Sequence, residues 1–76
     1  MNTFGQRLKY MIEKAGITQA DVAKYCNVDP ALISKYCKDI HEPNSKNLIQ
    51  ICICLDCSPD WISKGIGSEN DKFDFS

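Results

Sequence analysis

Three sets of residues in this chain have types and spacing that chemistry could use. The first is Cys52-x-Cys54-x-x-Cys57, which has the outline of a metal-binding or redox motif. Structural zinc takes four tetrahedral ligands supplied by converging pairs. On a helix, residues 52 and 54 point roughly 200° apart, so they cannot share an ion without unwinding. Cys54 and Cys57 fit one helical face, but a fourth ligand is missing nearby. The five cysteines, Cys26, Cys37, Cys52, Cys54 and Cys57, are odd in number and lie in a chain without secretory features. They are expected to be reduced, packed thiols, with no metal and no cofactor. The second set is the single histidine, His41, expected to be solvated in a loop. The third is Ser34, Lys35 and Lys38, where ammonium and hydroxyl groups on one short segment can reach phosphate or base edges. No nucleophile–base pair, glycine-rich phosphate loop or carboxylate pair appears, so an enzyme is not expected.

The elements that position the third set are legible from cap residues. Thr18 and Asp29 are N-cap types whose side-chain oxygens accept orphan backbone N–H bonds. Pro30 follows Asp29, where its missing N–H costs nothing. Asn27 suits the left-handed turn after a helix. The pattern predicts helices over Gln19–Cys26 and Pro30 to Cys37 or Lys38, joined tightly as a helix-turn-helix whose second helix is the candidate for a DNA major groove.

Around this unit the pattern is helical throughout. Thr3 and Gln6 form a capping box for a helix over Phe4–Ala15 that Gly16 ends. Phe4, Leu8, Met11, Ile12 and Ala15 share its inner face, leaving Arg7, Lys9, Glu13 and Lys14 outside. Ser45 is the expected cap of a fourth helix, Lys46–Leu55, with Leu48, Ile51, Cys52 and Leu55 inward. Ser58-Pro59-Asp60 starts a fifth, anchored by Trp61 and Ile62 and ended by Gly65. The expectation is an all-α, five-helix domain over residues 1–65, followed by a flexible acidic tail, 66–76.

The chain has 76 residues, enough for one small domain, with 43% hydrophobic and 25% charged residues. Its longest apolar run, Ile51 to Leu55, is too short to span a membrane, and no signal peptide is evident. A cytoplasmic location is expected. Net charge is −1, and without residues 66–76 the remainder carries eight basic and seven acidic residues. Bulk charge therefore neither supports nor excludes nucleic acid.

In order and register these pieces resemble the Cro/repressor type of helix-turn-helix domain, the XRE or lambda-repressor-like family. The resemblance rests on Gly16-Ile17-Thr18-Gln19, Val22-Ala23, Val28-Asp29, Ile33-Ser34-Lys35-Tyr36, Glu42-Pro43, Asn47-Leu48 and Ser58-Pro59-Asp60-Trp61-Ile62. It implies that Thr18 and Gln19 lie at the DNA, with the Gln19 amide on a phosphate. It further implies that Pro30, Ala31, Leu32, Ser34, Lys35 and Lys38 form the reading face, and that Asn44, Ser45 and Lys46 clamp the backbone. A helix N-terminus at the last position offers free N–H groups to phosphate.

Three departures qualify the likeness. Pro30, Ala31 and Leu32 carry no side-chain donor or acceptor, so polar reading falls to Ser34, Lys35 and Lys38, with low discrimination or reliance on DNA shape. An Arg–Glu pair common in the family is replaced by Ile12 and Cys37, both apolar, which avoids a buried unpaired charge. Ile53 stands where the family has a polar residue and is expected to join Ile62 or Ile66 in a dimer patch. The resulting expectation is a homodimeric DNA-binding regulator, read as a repressor, with half-sites about 34 Å apart. The rival is a protein-interaction module on the same fold, such as an antitoxin, an anti-repressor or a dimerisation unit with a protein partner.

Overall fold

The computed structural model describes residues 2–69 and shows five α-helices: α1 Phe4–Ala15, α2 Gln19–Cys26, α3 Pro30–Cys37, α4 Ser45–Leu55 and α5 Pro59–Lys64. No strand occurs among the described residues. Each helix starts on a side-chain cap. Thr3 Oγ1 accepts from Gln6 N at 3.2 Å while Gln6 Oε1 accepts from Thr3 N at 3.3 Å, completing the expected box. At α2 the box is built from Thr18 and Asp21: Thr18 Oγ1 accepts from Asp21 N at 3.1 Å, and Asp21 Oδ2 accepts from Thr18 N at 2.9 Å. The Thr18 backbone N–H, then its hydroxyl, hold the Asp21 carboxyl below the usual carboxylate range. Asp29 caps α3 through Ala31 N at 2.8 Å, and Ser58 caps α5 through Trp61 N at 3.3 Å.

One cap differs from expectation. Asn44, not Ser45, caps α4, accepting from Asn47 N at 2.8 Å. Both residue types cap well, so two adjacent candidates left the boundary one residue uncertain; Ser45 is the first helical residue.

The helix ends share one geometry. After α1, α2, α3 and α4 a left-handed residue reverses the chain, at Gly16, Asn27, Asp39 and Asp56, with φ of 71°, 57°, 59° and 52°. Each reversal folds the following N–H back onto the last turn, as in Ile17 N to Ile12 O at 3.3 Å and Cys57 N to Cys52 O at 3.1 Å. Non-glycine residues adopt this conformation most readily when they are Asn or Asp, the types found at three of the four ends.

The core joins Leu8, Met11 and Ile12 of α1 to Val22 and Ala23 of α2 and to Ile33, Tyr36 and Cys37 of α3. Ile51, Cys52 and Leu55 of α4, with Cys57 and Ile62, complete it. Each large aliphatic residue buried here contributes roughly 1.5–3 kcal/mol of transfer free energy. Ile12 and Cys37 are both buried in this cluster, as their joint loss of charge implies. Ala15 is exposed, outside the inner face expected of it.

Arg7 is not on an outer face. It is only 6% exposed, and its guanidinium donates to Ile62 O at 2.8 Å and Ser63 O at 3.0 Å. Those carbonyls lie in the last turn of α5, where helical acceptors lack intrahelical partners and positive charge is favoured. Arg7 therefore anchors α5 to α1. The Tyr10 and Trp61 rings reinforce the same contact, edge-to-face at 6.2 Å.

Asp39 ties α3 to the start of α1. Its carboxylate accepts from Thr3 Oγ1 at 2.6 Å and from Gly5 N at 2.9 Å. The Thr3 hydroxyl first, then the Gly5 N–H, lower its pKa from the ordinary carboxylate value. Gly5 permits this approach, because a Cβ there would collide with the Cys37 carbonyl and the Asp39 carboxylate. Of the segment expected as a tail, residues 70–76 lie outside the described residues. Glu69 packs on the domain: its backbone O accepts from Ser58 N at 3.1 Å, and its carboxylate meets Lys14 Nζ at 3.0 Å and the Tyr10 hydroxyl at 3.3 Å. The Glu69 hydrogen bond raises the Lys14 pKa.

Candidate nucleic-acid interface

Along α3 and its C-cap, residues 31, 34, 35 and 38 recur at the spacing that places side chains on one helical face. Ala31, Lys35 and Lys38 are exposed and Ser34 is half-buried, so the structure gathers them into one outward stripe. Pro30 is exposed at the helix start. Leu32 departs from the expected reading set: it is half-buried and packs against the core. The reason is phase, since Leu32 lies about one turn from Tyr36 and beside Ile33, both core residues. The polar-poor start of the reading face thus reduces to Pro30 and Ala31.

Gln19 opens α2 and is half-buried, and Thr18 is exposed. Thr18 is committed to its capping box, with both its backbone N–H and its hydroxyl engaged by Asp21. The Asp21 carboxylate in the same turn already offers negative charge to the α2 N-terminus. It therefore competes with any phosphate there.

Asn44, Ser45 and Lys46 are exposed in consecutive positions at the α4 start. Asn47 Nδ2 donates to the Tyr36 hydroxyl at 3.1 Å, and the Tyr36 ring meets Phe4 edge-on at 6.3 Å. This hydrogen bond fixes the α4 start against α3, a positioning role for Asn47 beyond its place in the family pattern. The signal that could have found it is the spacing of two polar groups on helices that must pack. His41 is exposed between α3 and α4.

The expected dimer set separates. Ile53 is 44% exposed and Ile66 60% exposed, but Ile62 is 0% exposed. Ile62 belongs to the core because α5 packs against both α1 and α4, so a six-residue helix buries more than one side. Ile49, 40% exposed, lies one turn before Ile53, and the two form an exposed aliphatic pair on α4. Sequence reasoning missed Ile49 because it borders the inward stripe of Leu48, Ile51 and Cys52.

The thiols are all free. Cys52 is fully buried and Cys54 half-buried, as their opposed helical directions require. Cys57 does not share a face with Cys54. The left-handed Asp56 turns the chain back, so Cys57 lies against Cys52, with its N–H on the Cys52 carbonyl. The hydrogen bond to Cys57, and then burial, push the Cys52 thiol well above the ordinary cysteine range, which makes it unreactive at neutral pH. No group of three or more metal-ligating side chains occurs among the described residues, and none of their helices is long and apolar enough to cross a membrane.

A sequence profile of the helix-turn-helix family matches residues 8–62. The chain is 37% identical over 67 residues to repressor protein C2 of Salmonella phage P22, covering 86% of this chain and 31% of that protein. It is 33% identical over 63 residues to the HTH-type transcriptional regulator DicA of Escherichia coli, covering 83% of this chain and 47% of that regulator. The chain thus spans about a third to a half of the length of these relatives. Its fold is similar to the crystal structure of the P22 c2 repressor in complex with a synthetic operator, with a TM-score of 0.82 and 34% identity over 86% of this chain and 98% of that one.

Proposed function

The chain belongs to the helix-turn-helix family, and on that premise we propose that it is a DNA-binding transcriptional regulator acting as a repressor. The observation that carries this reading is the outward stripe of Ala31, Ser34 and Lys35 on the second helix of the motif, with Lys38 at its C-cap. It is supported by likeness to a repressor whose structure was solved on operator DNA.

In this reading α3 enters the major groove, where Lys35 and Lys38 meet guanine edges or phosphates and Ser34 supplies the short polar contact. Gln19 and the Asn44-Ser45-Lys46 turn hold flanking phosphates, which fixes register without reading sequence. Pro30 and Ala31 offer at most an apolar surface for a thymine methyl, so discrimination is low or is taken from DNA shape. A homodimer joined through Ile49 and Ile53 brings two such stripes to a partly palindromic site. The protein acts in the cytoplasm, without catalysis.

Fluorescence anisotropy against a duplex at two salt concentrations tests this. Binding through lysines releases counterions, so affinity falls steeply as salt rises, with a log–log slope of about −0.9 per phosphate neutralised. Absence of binding at low salt overturns the reading and favours the protein-interaction alternative.

A further inference from the structure

Cys52 and Cys57 play no part in the nucleic-acid reading, and the end of α4 brings them together. The left-handed Asp56 closes α4 with a paired reversal: its own N–H meets Ile53 O at 3.4 Å, and the Cys57 N–H meets Cys52 O at 3.1 Å. In a helix ending of this kind the residue after the left-handed one packs against the residue five places earlier. Here both are cysteines of one core cluster, 0% and 3% exposed, and the Cys52 thiol donates to the Cys57 sulfur. The backbone bond holds their Cα atoms within about 7 Å, the outer reach of a disulfide. We propose that Cys52 and Cys57 are a dithiol that a peroxide closes into a reversible disulfide, a covalent brace between α4 and α5.

The two thiols take different parts. Cys57 attacks, because it holds the pair's residual exposure and the hydrogen bond from Cys52 lowers its pKa against the opposing effect of burial. Its thiolate attacks one oxygen of hydrogen peroxide and breaks the O–O bond, giving the Cys57 sulfenic acid and hydroxide. That hydroxide takes up the proton Cys57 released and leaves as water. The Cys52 sulfur then attacks the sulfenyl sulfur, forms the S–S bond and expels a second hydroxide, which leaves as water with the Cys52 proton. Two thiols are thereby oxidised by two electrons and one peroxide is reduced to two waters. Two small thiols reverse the bond by exchange and leave as their own disulfide. The link acts on α5, a six-residue helix whose cap, Ser58, follows Cys57 directly. A helix so short is held by its tertiary contacts, and a bond at its first turn resists its opening.

Peptide mapping of the folded full chain after hydrogen peroxide tests the proposal. Cleavage before Asp39, Asp56 and Asp60 places Cys52 on fragment 39–55 and Cys57 on fragment 56–59. In Cys26→Ser with Cys54→Ser each of these fragments keeps one cysteine, so a joined pair identifies the bond. The joined fragments are expected, with loss of two hydrogens from the intact chain and full recovery on reduction with dithiothreitol. Exchange of the Ile62 amide, which bonds Ser58 O at 3.0 Å, is expected to slow several-fold in the linked chain. Fragments that stay separate at a peroxide dose that oxidises Cys54 in the parent chain overturn the proposal. So does a bond from Cys57 to Cys37 or to a second chain. An Ile62 amide that exchanges as fast in the linked chain as in the reduced one overturns the brace.

Discussion

The motif of α2 and α3 and the pair α4 and α5 begin with the same cap chemistry and end with opposite surfaces. Thr18 and Asp29 start the first pair as Asn44 and Ser58 start the second. Yet α3 turns Lys35 to solvent with Lys38 exposed at its C-cap, whereas α4 turns Ile49 and Ile53 outward along its middle and exposes Ser45 and Lys46 at its start. Local capping therefore specifies where helices start and is indifferent to what they are for. What distinguishes the two pairs is the face left uncovered after packing, and in the proposed reading one face takes a polyanion and the other a second copy of the chain.

Reversing charge on the first face should give the largest effect. Lys35→Glu with Lys38→Glu is expected to weaken duplex binding at low salt by about 100-fold or more and to flatten its salt dependence. Circular dichroism and thermal unfolding should be nearly unchanged, because exposed positions contribute little to stability. A variant that binds as tightly as the parent would place the polyanion surface elsewhere.

Arg7→Met tests the join between the two pairs and the first helix. It removes the donors to the Ile62 and Ser63 carbonyls while keeping much of the packed stem. Hydrogen bonds to charged groups are worth about 1.5–3 kcal/mol each, with part recovered by water at the α5 end, so a loss of about 2 kcal/mol in denaturant unfolding is expected. A midpoint equal to the parent's would show that α5 is held by the Tyr10–Trp61 and Ile62 contacts alone.

On the second face, Ile53→Asp should weaken self-association by about tenfold or more in sedimentation equilibrium, since it buries a charge at an apolar contact. The monomer should remain folded. A parent chain that stays monomeric at millimolar concentration removes the contrast between the two faces.

The smallest effect concerns pH. The Asp39 carboxyl titrates below its ordinary value because it accepts from Thr3 and Gly5. Its contribution is complete above the unfolded pKa, about 3.9, and is lost as pH falls through the lower folded pKa. Asp39→Asn should therefore be less stable than the parent at neutral pH, by a few tenths to about 1 kcal/mol given the exposure of the site. The gap should close as pH falls through the lowered folded-state pKa. A constant gap across that range would assign the effect to shape and not charge.

Much of the fold was legible because its signals are local. A cap reads three residues ahead, a left-handed stop reads the residue at the turn, and α1's twelve residues are long enough to phase an apolar stripe. The short helices resisted. With eight residues in α3 and six in α5, one stripe is sampled only once or twice, so Leu32 and Ile62 could be placed on either side. The candidate interface could be listed from the sequence, but its division into the exposed stripe, the capped α2 and α4 starts and the half-buried Leu32 could not.

The sequence by itself determined five helices, four of their five N-caps and the helix-turn-helix spacing, since each depends on hydrogen bonds closed within a turn; the α4 cap fell one residue earlier, at Asn44. Tertiary structure alone decided that Arg7 lies inside, where distant α5 supplies acceptor carbonyls across a gap of fifty-five residues. It likewise decided that Asp39 completes the start of α1, that Cys57 answers Cys52 and not Cys54, and that Ile49 replaces Ile62 beside Ile53. Each of these depends on which elements meet, and a one-dimensional pattern records a side chain's direction without recording what stands opposite it.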